Sequence, residues 1–113
     1  MKRIDAIVPT ERVTNVSDEL RKVGVGGMTC FDTKGHGQVP IQQRSAGRGG
    51  VFTPMFNTNC TIMVVVKDGD LEKAVQAILT GGSTGLAGEG KIFVANVDDA
   101  VDIGTKKRGE QAI

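Results

Sequence analysis

Cys60-Thr61-Ile62-Met63-Val64-Val65-Val66 is apolar at both parities of an extended chain: Ile62, Val64 and Val66 point to one side, Met63 and Val65 to the other. A strand with this pattern is buried on both faces. Downstream, Asp68 or Asp70 is placed to cap a helix whose Leu71, Ala74, Val75, Ile78 and Leu79 share one face, and Gly81-Gly82 stops it. Lys91 to Val97 predicts a further strand, with a short one over Ala100 to Ile103. Upstream, Met28 to Lys34 is β-branched and aromatic and predicts another strand. Before it, Val13, Val16, Leu20 and Val23 recur three, four and three residues apart, the stripe of an amphipathic helix, and Gly24 ends it. At the start, Arg3 to Val8 alternates, with Ile4, Ala6 and Val8 on one face, up to a boundary at Pro9-Thr10.

The order βαββαβ predicts an α+β fold of the ferredoxin-like kind, a four-stranded antiparallel sheet with two helices on one face. The second face then lies bare, although the central strand is apolar on both. Burying an exposed Val, Ile or Met contributes roughly 1.5–3 kcal/mol, so several per subunit favour a symmetric oligomer at this face. A lid from the long loop is the plainer alternative, for which that loop is too rich in glycine.

The chain has 113 residues and 11.9 kDa, 39% hydrophobic and 24% charged, the balance of a single domain over residues 1–113. Fourteen basic against thirteen acidic residues leave a net charge of +1, which excludes a general nucleic-acid binder. No run approaches the roughly 20 apolar residues of a membrane span, and Met1-Lys2-Arg3-Ile4-Asp5 opens directly into alternation, so no membrane insertion and a cytoplasmic location are expected. Between Gly35 and Val66 there is no Asp or Glu, while Arg44 and Arg48 are present, and Lys106-Lys107-Arg108 lie near the end. These are candidate phosphate contacts, or equally solvated surface. Cys30 and Cys60 lack metal spacing and are expected as reduced core thiols; the only histidine, His36, has no partners of metal-site type.

Two segments carry the chemistry. Gly35 to Asn59 is glycine-rich, contains Pro40 and Pro54, and lacks periodicity; compact domains join elements in roughly 4–6 residues, so a segment this long is a place to expect function. Its flanks can still extend as a hairpin. Thr84-Gly85-Leu86-Ala87-Gly88-Glu89-Gly90-Lys91 fits part of a phosphate-binding loop at Gly85, Gly90 and Lys91, but Ile92 follows where a Walker loop needs Ser or Thr, and a strand follows where it needs a helix. What survives is a backbone N–H nest for an anion with Lys91 as a point charge, against the plainer reading of a turn. No paired carboxylates or Ser–His arrangement accompany it, so neither catalytic residues nor a metal site are assigned; a small phosphotransferase or hydrolase on this loop is the enzyme alternative.

The whole chain resembles the PII signal-transduction family of trimeric nitrogen and carbon status sensors. Met1-Lys2-Arg3-Ile4-Asp5-Ala6-Ile7 is similar to its opening strand and Val23-Gly24-Val25-Gly26-Gly27-Met28-Thr29 to its V-G-x-x-G-M-T turn. Lys34-Gly35-His36-Gly37 is similar to its K-G-x-G start of the T-loop, and residues Thr84 to Phe93 resemble its T-G-x-x-G-D-G-K-I-F B-loop. The ending Arg108-Gly109-Glu110-Gln111-Ala112-Ile113 is like many family C-termini. The resemblance implies a homotrimer without turnover chemistry, with a T-loop at about 37–56, a B-loop at 84–91 and a C-terminal loop at about 102–113. It implies ATP or ADP in clefts between subunits: Thr29 and Val65 lining the adenosine, Gly37 and Gln38 approaching from the T-loop base, and Thr84, Gly88, Glu89, Gly90 and Lys91 around the phosphates. The T-loop would then regulate a target, an ammonium transporter or a nitrogen-metabolism enzyme.

The departures bear on the ligand. Asp102-Ile103-Gly104-Thr105 stands where the family has R-x-R-T, so two phosphate-binding guanidinium groups are missing and Lys106, Lys107 or Arg108 is left to replace them. Val39 falls where the family has a Gln that ligates magnesium with 2-oxoglutarate, and Asn57, Thr58 and Asn59 stand near its Lys, with Gln38, Gln42 or Gln43 as substitutes. The expected effectors are therefore ATP and ADP, with or without magnesium and with no required cofactor; 2-oxoglutarate is doubtful. The alternative is a PII-like sensor of another small anion or metabolite with adenine nucleotide. Glu89 replaces the family's Asp, and with no tyrosine in the chain, uridylylation of a loop Tyr is chemically excluded.

Overall fold

The computed structural model describes residues 1–39, 41–86 and 88–113; Pro40 of the long connection and Ala87 of the glycine-rich segment lie outside them. The described residues form β1 (Lys2–Pro9), α1 (Val13–Lys22), β2 (Thr29–Gly35), β3 (Arg44–Gly47), β4 (Gly50–Phe52), β5 (Asn57–Val66), α2 (Leu71–Gly82) and β6 (Lys91–Asn96). One four-stranded sheet runs β2-β5-β1-β6, every pairing antiparallel, and β3-β4 is a separate two-stranded sheet. This is the ferredoxin-like α+β arrangement.

The alternation in β1 works as its spacing predicts: Ile4, Ala6 and Val8 are buried and lie in register with Val64, Ile62 and Cys60 of β5. Val16 and Leu20 of α1 and Ala74, Ala77 and Ile78 of α2 close over them as one core. α1 ends in a Schellman motif, Val25 N–H donating to Leu20 C=O at 2.9 Å and Gly24 N–H to Arg21 C=O at 3.0 Å, with Gly24 at φ +85°. The helices cross closely at Gly81, where a Cβ would stand 2.7 Å from Val16 Cα and 2.8 Å from Asn15 C and O.

The opposite face has no helix. The strand registers place Phe31, Thr61, Ile7 and Lys91 in one row of it, and Thr29, Met63, Asp5 and Phe93 in the next. Thr61 is buried, Met63 and Val65 are half-buried, and Phe31 and Phe93 stand 46% and 54% exposed, so within one chain this apolar face is only partly covered.

Several expectations change. β5 begins at Asn57, because Asn57, Thr58 and Asn59 pair with Gly35, Lys34 and Thr33; backbone pairing orders residues that carry no apolar pattern. The long segment also contains the β3–β4 hairpin, turned by Arg48 at φ 48° and Gly49 at φ +79°, both left-handed as a type I′ turn requires. Leu79 is exposed and Cys30 is exposed on an edge strand, whereas Cys60 is buried. Neither Asp68 nor Asp70 makes a side-chain cap: Asp68 pairs with the Met1 ammonium at 2.9 Å and Asp70 with Lys73 at 3.1 Å. Ala100–Ile103 forms no strand, only a single bridge between Val101 and Arg108.

Candidate functional site

The glycine-rich loop leaves α2 at Ser83, whose backbone is extended, and returns into β6 at Lys91. Gly85 and Gly88 take φ +85° and +83°, the left-handed region where glycine is strongly preferred. Gly90 has φ +153°, and a Cβ there would fall 1.8 Å from the Ile7 carbonyl oxygen, so no other residue fits against β1.

Glu89 organises this loop. Its carboxylate accepts the Thr84 backbone N–H at 2.7 and 2.8 Å, the Leu86 N–H at 2.7 Å, and the Thr84 hydroxyl. Gly85 N–H adds a bond to Ser83 Oγ at 3.2 Å. The Thr84 hydroxyl first, then the N–H groups of Leu86 and Thr84, hold the Glu89 carboxyl down at about 2. The carboxylate thus occupies the N–H groups of Thr84 and Leu86 with the loop's own anion. Lys91 is exposed on the helix-free face, with no ion-pair partner among the described residues.

The start of the long loop lies against this segment. Gly37 and Gln38 are exposed beyond β2, and Val39 packs on Gly88, where a Cβ would lie 3.1 Å from Val39 Cβ. His36 and Phe56 join the loop's two arms at its base, their ring centroids 5.6 Å apart. The Val39 side chain offers only carbon and so no ligand atom for a metal ion. Among the described residues, no group of three His, Cys, Asp or Glu side chains is placed to hold a metal ion.

Thr29 and Val65 lie elsewhere. With Met28, Met63, Lys67 and Ile113 they line an open cleft of about 580 Å³ at the far end of the β2–β5 pair. Arg108 is engaged on its own loop, its Nη1 2.8 Å from Asp99 Oδ2. Asp102 accepts the Thr105 N–H at 2.7 Å and hydroxyl at 3.0 Å, bonds that lower its carboxyl below the ordinary value. The structure therefore brings Gly88, Glu89, Gly90 and Lys91 together beside Val39, groups Thr29 with Val65, and leaves Arg108 with neither cluster. The Val39–Gly88 contact has no signal in the sequence, since it depends on how distant segments meet; the inward turn of Glu89 is a contact within its own loop, set by the left-handed glycines around it.

A ferredoxin-like sheet with one bare face, a glycine-rich loop organised by its own carboxylate, and a long hairpin loop rooted beside it define a small regulatory domain. The family model for nitrogen regulatory protein P-II matches residues 1–107. The chain is 39% identical to nitrogen regulatory protein P-II 1 of Methanothermobacter thermautotrophicus, over all of this chain and 97% of that one. It is 36% identical to nitrogen regulatory protein P-II of Bradyrhizobium diazoefficiens, over the full length of both. The crystal structure of Arabidopsis thaliana PII bound to citrate superposes with a TM-score of 0.80 at 32% identity, covering 99% of this chain and 91% of that one. The chain belongs to the nitrogen regulatory protein P-II family, and it is a nitrogen-regulatory signalling protein.

Proposed function

We propose that this chain forms a homotrimer that binds ATP or ADP between subunits and reports occupancy to a target protein, a transporter or an enzyme of nitrogen metabolism, through its 37–56 loop, without turning the nucleotide over. The observation that supports this reading is the division of the site. Lys91 is on edge strand β6 and Thr29 on the opposite edge strand, β2. Three strand spacings and two residues separate them, about 16 Å. One chain therefore offers two half-sites. Joining the β2 side of one subunit to the β6 side of the next is a head-to-tail contact, which closes into a ring and completes a cleft at each seam. The same seam covers the bare apolar face.

Calorimetry with ATP and ADP, run beside light scattering, tests it: saturable binding at one site per subunit in a trimer is expected, and Lys91→Ala is expected to weaken it about tenfold, the value of one charge-assisted phosphate contact of roughly 1.4 kcal/mol. A monomer blind to both nucleotides overturns the reading. Val39 in contact with Gly88 favours the second reading, a sensor of another small anion or metabolite together with adenine nucleotide. Saturable micromolar binding of 2-oxoglutarate with magnesium and ATP would eliminate it.

A further inference from the structure

Two thiols that the nucleotide reading leaves unused lie together on the helix side of the sheet. The register pairs Cys30 with Ile62 and Asp32 with Cys60, so Cys30 and Cys60 sit diagonally across the β2–β5 ladder, on the side of the buried Ile62. Neither is in a disulfide. They differ in access: Cys30 is exposed on the edge strand, whereas Cys60 is buried in the core. Burial first, then the adjacent Cys30 thiol, then Asp32, push the Cys60 thiol above its ordinary value, and its S–H donates to the Thr61 carbonyl at 3.9 Å. Cys60 therefore keeps its proton and is shielded from solvent, while Cys30 meets whatever solvent carries.

An exposed thiol backed by a second one is the arrangement in which the first sulfur is oxidised and the second resolves it. We propose that Cys30 and Cys60 form a redox modification site for peroxides, Cys30 reacting first and Cys60 closing a disulfide that ties β2 to β5. In the first step the Cys30 thiolate attacks one peroxide oxygen; the O–O bond breaks, hydroxide leaves, and Cys30 becomes a sulfenic acid. In the second, the Cys60 sulfur attacks the Cys30 sulfur; the S–S bond forms, the S–O bond breaks, and the Cys60 proton leaves with the hydroxyl group as water. The two thiols together lose two electrons, and one peroxide gains them.

Diagonal neighbours on a ladder stand roughly 7–8 Å apart and a disulfide needs Cα atoms within about 7 Å, so closure draws β2 towards Cys60. That strand is able to yield, because it lies at the sheet edge and Thr29 to Asp32 are all exposed. A bridge closed against ladder geometry and beside solvent is readily reduced again by a dithiol, which suits a reversible modification better than a permanent staple. Thr29, next to Cys30, lines the cleft shared with Val65, so the closure reaches that cleft. The site itself does not depend on the nucleotide reading.

The test uses the full chain, reduced, freed of reductant and treated with about one equivalent of hydrogen peroxide, then alkylated in denaturant and weighed by intact mass spectrometry. The wild-type chain should lose two hydrogen atoms and take up no alkylating agent. A non-reducing tryptic map should show the peptides of Cys30 and Cys60 joined within one chain, and dithiothreitol should restore both thiols. Cys30→Ser should react about tenfold more slowly or less, since the remaining thiol is buried. Cys60→Ala, with its fold checked by circular dichroism, should stop at a Cys30 sulfenic acid that dimedone traps; if it fails to fold, the wild-type map decides. A wild-type chain that gains two oxygen atoms on Cys30 without a crosslink, that links Cys30 of two chains, or that keeps both thiols open to alkylation overturns the proposal. So does Cys30→Ser reacting as fast as the wild type.

Discussion

Glu89 turns its charge inward, and its titration is the most direct check on that placement. The carboxyl is lowered from an ordinary 4.5 to about 2 by the Thr84 hydroxyl and two backbone N–H groups. A carboxyl lowered by folding supports the folded loop fully above its ordinary value and loses that support as pH falls through the folded one. The amide resonances of Thr84 and Leu86 are accordingly expected to titrate together near pH 2, whereas a midpoint near 4.5 would mean that the carboxylate is free in solution. Gly81 gives a second case. Ala is the better helix former by up to about 1 kcal/mol, yet a methyl group here would press on the Asn15–Val16 backbone at 2.7–2.8 Å. Gly81→Ala is expected to lose about 1–3 kcal/mol in urea unfolding, overpacking outweighing propensity.

Among the elements, β5 carries the fold and the β3–β4 hairpin carries none of it. Ile62 is fully buried at the centre of the sheet, in register with Ala6 and Cys30, and Ile62→Ala is expected to cost about 2–5 kcal/mol. All residues of β3 and β4 are exposed. Replacing residues 41–55 by a short Gly-Ser linker is therefore expected to leave the thermal midpoint within a few degrees while abolishing any response of a target; a large loss of stability would show that the hairpin packs on the body. The two helices and β1 were legible because periodicities of 3.6 and 2 are written in Val13 to Val23, Leu71 to Ile78 and Arg3 to Val8, β5 because its run is apolar at both parities, and β2 because it is β-branched and aromatic. The hairpin was not legible. Its turn uses Arg48-Gly49 in place of the common Asn-Gly, and its arms bury nothing that would impose alternation.

For the assembled molecule, the bare face sets the expectation. Phe31, Met63, Val65 and Phe93 share it with Lys91 and Thr29, so the proposed trimer contact and the proposed nucleotide cleft would use one surface. A charge there, as in Met63→Glu or Phe93→Asp, is expected to convert a trimer to monomers in light scattering and to abolish nucleotide binding in the same sample. A monomeric variant with wild-type affinity would place the whole site inside one chain.

The amino-acid order alone established the βαββαβ order and the glycine-rich loop with its lysine, because periodicity and motif spacing are local properties of neighbouring residues; Asp102, Gly104 and Val39 count as departures only against the family that the chain resembles. It was the folded arrangement that turned Glu89 onto Thr84 and Leu86, seated Val39 on Gly88, and divided Lys91 from Thr29 across the width of the sheet. The second and third of those relations join positions far apart in the chain and depend on strand register, while the first is local and depends on the left-handed glycines that turn the loop back on itself.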